Sequence, residues 1–280
     1  MATLLLCATE LTARGAETQL AIINAAVSTS EDGPRIASDY SFLPGDYVYV
    51  QFQIAGFTVR TENRGEVQKI ALEYEITLQD EQHRPVVAPE SGKIETELSA
   101  EDKNWVPLRR ASFLLPSFLA ANPFHVHIAV KDVFDHTAAE HDLPFKIGGV
   151  HVQPSSSILV QNFRFLRGEA DSEALSVAAF APGDPVYARF EMTGFRTDAD
   201  NAYHLAYGIT VFAPNGKPFI QEPEAANLAE RSFYPAQFIP GNMELKLGKD
   251  SARGEYVVVV KVRDVLADKT YESKHAFTVE

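Results

Sequence analysis

Cysteine, tryptophan and methionine are almost absent from the chain, which holds one, one and three of them in 280 residues. The single cysteine, Cys7, excludes an intramolecular disulfide framework and any zinc or iron–sulfur site that needs several thiolates. Beyond residue 16 the chain also lacks an apolar run near the roughly 20 residues that a transmembrane helix requires. We therefore expect no membrane span.

Basic residues are also scarce relative to acidic ones, with 25 Lys and Arg against 38 Asp and Glu and a net charge of −13. Such a chain is repelled by a polyphosphate backbone, so no nucleic-acid partner is expected. The hydrophobic fraction of 45% is large enough for a substantial core. The sequence is therefore that of a globular protein rather than a disordered tail.

Residues 1–16 resemble the end of a secretory signal peptide. A short apolar stretch over residues 4–8 is followed by the small residues Ala13 and Gly15, which suit a cleavage site before Ala16. A basic region is missing and the apolar stretch is short, so we interpret the segment as a truncated signal. We expect export to the periplasm or cell surface, with a cytoplasmic location as the alternative.

An internal repeat organises the rest of the chain. The segment FLPGDYVYVQFQIAGF at 42–57 matches FAPGDPVYARFEMTGF at 180–195. Two further blocks follow in the same order, where 72–86 matches 205–219 and 124–137 matches a segment that begins at Tyr256. Three matched blocks in one order indicate two homologous domains.

Within each block apolar residues alternate with polar ones, which is the period expected of half-buried strands. The turn residues Pro, Gly, Asp and Asn separate these strands. Helix candidates are confined to two short segments, residues 117–121 and 224–230. The pattern predicts an all-β fold.

About seven short strands per copy, separated by turns, are typical of an antiparallel β-sandwich. Together with the Pro-Gly-Asp turns and the strands that end at Asp132 and Asp264, the chain resembles tandem immunoglobulin-like domains of exported bacterial proteins. The resemblance implies sandwiches over 17–148 and 158–280, joined by a linker over 149–157. It also implies that the strand beginning at Phe124 pairs with the strand beginning at Leu72.

Familiar catalytic signatures are missing, including the G-x-S-x-G elbow, the phosphate-binding loop and the H-E-x-x-H zinc helix. The two copies share Asp132 and Asp264 as matched polar residues. We expect these carboxylates to accept hydrogen bonds from turn backbone, with a catalytic role as the alternative. No cofactor is expected.

The first copy contains one constellation that could hold a metal ion. His125 and His127 are two residues apart, so on a strand they share one face. In the expected pairing they face Glu73 and Glu75, and imidazole with carboxylate is a plausible zinc set. The alternative is a pair of cross-strand His–Glu contacts without metal, in which the paired histidine titrates above its usual value.

In the second copy the equivalent outward positions are apolar or small. A contiguous apolar sheet face usually marks a contact surface, unless a loop or the other domain covers it. This reasoning predicts a protein-contact face formed by Ala206, Gly208, Thr210, Phe212, Val257 and Val259.

The sequence thus favours a non-enzymatic, exported binding or structural module that contacts another protein or a second copy of itself. Two alternatives stay open. A carbohydrate-binding module would use outward aromatic residues such as Tyr47, Tyr49 and Tyr187, and a metal-binding protein would centre on His125 and His127.

Overall fold

The computed structural model describes residues 19–62, 67–99, 101–102 and 105–280. Over these ranges the protein is all-β and contains no helix, so none is present that could cross a bilayer. The predicted all-β class is confirmed. The signal-like segment 1–16, with Cys7, lies outside the described residues.

The described residues of the N-terminal half form eight strands. They are β1 (Ala21–Ser28), β2 (Tyr47–Ala55), β3 (Arg60–Glu62), β4 (Val67–Asp80), β5 (Glu90–Leu98), β6 (Leu108–Leu114), β7 (Asn122–Asp132) and β8 (Ala138–Ile147).

The C-terminal half also contains eight strands. They are β9 (Leu159–Leu166), β10 (Ala179–Phe180), β11 (Pro185–Thr193), β12 (Ala202–Phe212), β13 (Pro218–Arg231), β14 (Ile239–Lys246), β15 (Gly254–Asp264) and β16 (Lys269–Val279).

Each half forms a three-stranded and a five-stranded sheet. In the N-terminal half the orders are β1-β2-β6 and β3-β4-β7-β8, with β5 paired to β4. In the C-terminal half they are β9-β11-β14 and β10-β16-β15-β12-β13. All strand pairs are antiparallel except β10 with β16. The β7–β4 pairing expected from the immunoglobulin-like resemblance is therefore confirmed.

A separate hydrophobic core lies between the two sheets of each half, because alternate residues of each strand point inward. The pattern is clearest on β2 and β7 and on their C-terminal equivalents. The inward residues there are Val48, Val50, Phe52, Ile54, Val126, Ile128 and Val130 in one core, and Val186, Ala188, Phe190, Met192, Val258, Val260 and Val262 in the other.

The two halves use the same strand register at the matched positions. Leu72 lies opposite Asp132 in the first half, and Leu205 lies opposite Asp264 in the second. Other equivalent pairs are Val48–Phe113 with Val186–Leu245, and Phe42–Ile147 with Phe180–Val279. These pairings agree at the matched positions, while the two homologous domains and their boundaries at 148 and 158 stay a prediction.

Neither helix candidate is helical. Residues 117–121 contain a turn, and residues 224–230 belong to the long strand β13. The alanines of residues 224–230 have a high helix propensity. That local preference is overridden because the segment belongs to the antiparallel pairing of β13 with β12, which begins with Ala202 opposite Arg231.

The two halves contact each other through Tyr234, which follows β13 and inserts into the core of the N-terminal half. Its hydroxyl donates to Asp80 Oδ2 at 2.9 Å. Close by, the Ala120 N–H donates to Gln237 Oε1 at 2.6 Å, and Phe118 packs against both cores. The connecting residues 149–157 are also held, since the Gln161 side chain bonds both the N–H and the C=O of Gln153.

Candidate functional site

Asp132 and Asp264 end the equivalent strands β7 and β15, and both are fully buried. The carboxylate of Asp132 accepts hydrogen bonds from the N–H groups of Thr58 and Phe134, at 2.6 and 2.8 Å. That of Asp264 accepts from the N–H groups of Arg196 and Ala267, at 2.7 and 3.1 Å. Both oxygens of each carboxylate are therefore bonded to loop backbone, which is the structural role expected from the sequence.

The outer face of the five-stranded N-terminal sheet carries His125, His127, Glu73 and Glu75. Both histidines project away from the core, as the alternation predicted. The register of β4 against β7, however, places neither glutamate directly opposite a histidine. The cross-strand pairs are Glu73–Lys131, Glu75–Ala129, Thr77–His127 and Gln79–His125.

The predicted direct His–Glu contact is wrong, because His125, His127 and Glu73 each have another partner and Glu75 lies opposite Ala129. His127 Nδ1 lies 2.8 Å from Asp142 Oδ1 on β8, and Glu73 forms an ion pair of 2.8 Å with Lys93 on β5. His125 Nε2 lies 3.0 Å from the amide oxygen of Gln79. The register of β8 against β7, which brings Asp142 opposite His127, could not be read from the sequence blocks.

The pKa of His125 is lowered from its ordinary value, chiefly because partial burial disfavours the imidazolium. Its ring also meets the ring of His83 edge to face, at a centroid distance of 5.2 Å. The raised pKa was expected for a histidine paired with a carboxylate, whereas His125 is paired with the amide of Gln79. The pKa of Glu73 is lowered by its hydrogen bond and charge interaction with Lys93.

Over the described ranges, no group of three or more His, Cys, Asp or Glu side chains could hold a metal ion. His125, His127, Glu73 and Glu75 share one face but are spread along it by the register. The sheet face is instead a set of polar pairs across neighbouring strands, which stabilise it without a ligand.

The equivalent face of the C-terminal half contains the six residues of the predicted contact surface. Ala206, Thr210, Phe212, Val257 and Val259 are partly exposed, as outward residues of inner strands are. Gly208 is buried, because β13 bulges between its pairs with Tyr207 and Ile209. A Cβ on Gly208 would lie 2.3 Å from the carbonyl oxygen of Pro223.

The bulge of β13 therefore divides the predicted surface. Ala206 lies on one side of it, between Arg263 and Asn227. On the other side Thr210 pairs with Val259, which lies opposite Lys274 on β16, and Phe212 pairs with Val257, which lies opposite Ala276. Lys274 borders this surface, and we call its other five residues the outer strip, namely Thr210, Phe212, Val257, Val259 and Ala276.

The tyrosines singled out as outward residues lie on the three-stranded sheets. Tyr47 is 50% exposed and Tyr49 is partly exposed, with ring centroids 6.1 Å apart. Tyr187 is partly exposed between Glu244 and Leu166. The alternative that these rings pack under a loop does not hold for Tyr47.

Sequence reasoning missed two groups of residues on these faces. Ala276 on β16 and Asp142 on β8 were not assigned to a face, because the edge strands were not aligned with their neighbours. Leu114, 51% exposed beside Tyr47, was missed as well. The alternation in LRRASFL, with Ala111 and Phe113 inward, was the signal that could have found it.

No protein-family model and no curated protein matches the chain. The similar solved structures include the C-terminal domain of the antigen I/II-family protein AspA of Streptococcus pyogenes. The match has 10% sequence identity and a TM-score of 0.30, and it covers 94% of this chain and 99% of the AspA domain. The C-terminal domain of the Streptococcus agalactiae polypeptide BspA matches at 10% identity and a TM-score of 0.30, and the match covers 93% of this chain and 99% of the BspA domain.

A family 123 glycoside hydrolase from Clostridium perfringens matches at 12% identity and a TM-score of 0.30. The match covers 36% of this chain and 22% of the hydrolase. At this level of similarity neither the fold nor the function is inferred from these structures.

Proposed function

We propose that the protein is a non-enzymatic, exported binding module whose outer strip contacts another protein or a second copy of the chain. The observation that carries this proposal is the contrast between equivalent faces. Where the C-terminal half has Phe212, Val257 and Ala276 in one row, the N-terminal half has Gln79, His125 and Pro144.

The contrast matters because the framework beneath the two faces is the same. Matched core residues and matched carboxylates hold both sheets, so folding alone does not require an apolar outer row in one of them. Apolar side chains gathered on a solvent face commonly mark a surface that a partner covers. Central Phe and Val side chains supply the burial that such contacts need.

The absence of enzymatic activity is proposed on a separate ground. The matched carboxylates of the repeat, Asp132 and Asp264, are bonded to backbone N–H groups through both oxygens. Both are also fully buried, and a general acid or base must come within hydrogen-bond reach of the substrate proton. Export is proposed from the signal-like segment 1–16, and fractionation of cells into cytoplasm and envelope tests it.

The contact surface can be tested by site-specific photo-cross-linking. A photoreactive residue placed at Val259 lies in the outer strip, and the same residue placed at His127 lies at the equivalent position of the other half. We expect a discrete cross-linked product with an envelope protein, or a dimer of this chain, from Val259 only.

An excess of unlabelled wild-type protein should reduce the amount of cross-linked product. Unlabelled Val257→Lys should not reduce it, because a lysine in the middle of the outer strip must be desolvated when the partner binds. Equal cross-linking from both positions, or competition by Val257→Lys that matches the wild type, would contradict the proposed surface.

A further inference from the structure

The outer face of the sheet β1-β2-β6 differs in chemistry from the outer strip. Tyr47 and Leu114 lie opposite each other and are 50% and 51% exposed. The Tyr47 and Tyr49 rings are 6.1 Å apart with an angle of 37° between their planes. Two neighbouring rings on one strand form a short aromatic platform along the direction of β2.

Polar side chains continue this face beside the rings. Ser112 lies opposite Tyr49, and Arg110 lies opposite Gln51. The Arg110 guanidinium is 2.9 Å from the carboxylate of Asp32, which compensates its charge. The platform is thus bordered by hydroxyl, amide and guanidinium groups with little net charge.

The equivalent face of the C-terminal half has a different composition. Pro185 replaces Tyr47, and Lys246 replaces Leu114. Further along, Arg164 Nη1 lies 3.0 and 3.1 Å from the two oxygens of the buried Glu191. Since the frameworks match, the ring pair and its polar border are not required by the fold.

We infer that this face binds a neutral polysaccharide chain. A sugar ring presents a face of C–H groups, which packs on an aromatic ring, and a rim of hydroxyls, which bonds to amide, hydroxyl and guanidinium groups. A linear chain can follow the rings along β2. The protein's net charge of −13 disfavours polyanionic polysaccharides and leaves neutral ones as the fitting class.

The inference is independent of the outer strip, which lies on a different sheet of the other half. Titration calorimetry with cellohexaose, xylohexaose, laminarihexaose and chitohexaose tests it, with alginate as the polyanionic comparison. We expect binding of at least one neutral hexasaccharide and a weaker response to alginate. Tyr47→Ala and Tyr49→Ala should each weaken that binding about tenfold, because each removes a stacking surface.

The matched control is Tyr271→Ala, which removes another exposed tyrosine, 38% exposed against 50% for Tyr47, from β16. It should bind as the wild type does, and thermal melts should show that all three variants remain folded. Absence of heat with every neutral hexasaccharide would overturn the inference. Unchanged binding by Tyr47→Ala and Tyr49→Ala, equal loss in Tyr271→Ala, or tighter binding of alginate would overturn it too.

Discussion

His275 on β16 is a partly buried histidine whose Nε2 has no hydrogen-bond partner among the described residues. Its ring stacks on that of Phe163, with centroids 3.6 Å apart and planes 4° from parallel. Burial lowers its pKa, as it does for His125, because the imidazolium loses solvation. In both residues the neutral ring is the form that the folded protein favours.

A pKa lowered on folding means that the unfolded chain binds more protons just below pH 6.5. We therefore expect the free energy of unfolding to fall as the pH is lowered through about 6.5 and below. His275→Phe keeps the stacked ring but cannot titrate, so its fall should be smaller. Urea denaturation at pH 7.5 and 5.5 measures this difference.

The exposed residue His141 provides the control for that experiment. His141→Phe makes the same replacement at an exposed site, and His275→Phe should lose less stability than it does between the two pH values. If His275→Phe loses as much as His141→Phe, burial of His275 does not contribute to the pH dependence.

At the scale of elements, the bulge of β13 decides which part of the C-terminal face is open. Gly208 is required beneath it, since the Cβ of any other residue would lie within 2.3 Å of a main-chain oxygen. Gly208→Val should therefore displace β13 and destabilise the protein by roughly 1 to 3 kcal/mol. Hydrogen exchange of the amides of residues 222 and 224–226 should accelerate at the same time.

Ala206→Val, two residues earlier on the same strand, is the matched control. Ala206 is partly exposed and points to the same face, so a valine there should leave the exchange of those amides unchanged. Equal acceleration in both variants would show that the close approach at Gly208 does not hold the bulge.

Alternation of apolar residues predicted the strands β2, β4, β7 and β15 and the faces that their side chains occupy. It succeeded because the buried face of each strand repeats with period two. The same reasoning gave the wrong partners for His127 and Glu73, because their contacts depend on the edge strands β8 and β5. The short helix candidate at 224–230 came instead from its alanines, and there pairing with β12 outweighs the propensity of alanine.

At the scale of the whole molecule, Tyr234 joins the two halves. Its hydroxyl donates to Asp80 and accepts from Arg84 Nη2 at 3.3 Å, while the Arg84 Nε donates to Asp80 at 2.7 Å. Burial and the hydrogen bond to Asp80 raise the pKa of Tyr234 to about 12. A contact between residues 154 positions apart leaves no periodic trace in the sequence, and so could not be predicted from it.

Tyr234→Phe removes this hydroxyl and leaves the buried Asp80 with one donor fewer. We expect a loss of about 1 to 3 kcal/mol in the free energy of unfolding. Hydrogen exchange should also accelerate at the end of β4, although the substitution lies in the other half. Tyr203→Phe, whose hydroxyl bonds Glu230 within the C-terminal half, should leave exchange in β4 unchanged.

Two equivalent frameworks carry different outer faces, and we propose that the apolar face binds a partner. A variant with Phe212→Gln, Val257→His and Val259→His, the residues at the equivalent N-terminal positions, changes this face and keeps the framework. We expect its melting temperature to lie within a few degrees of the wild type, and we expect it not to reduce cross-linking from Val259 when it is added as an unlabelled competitor. A chain that fails to fold, or one that competes as well as the wild type, would contradict the proposal.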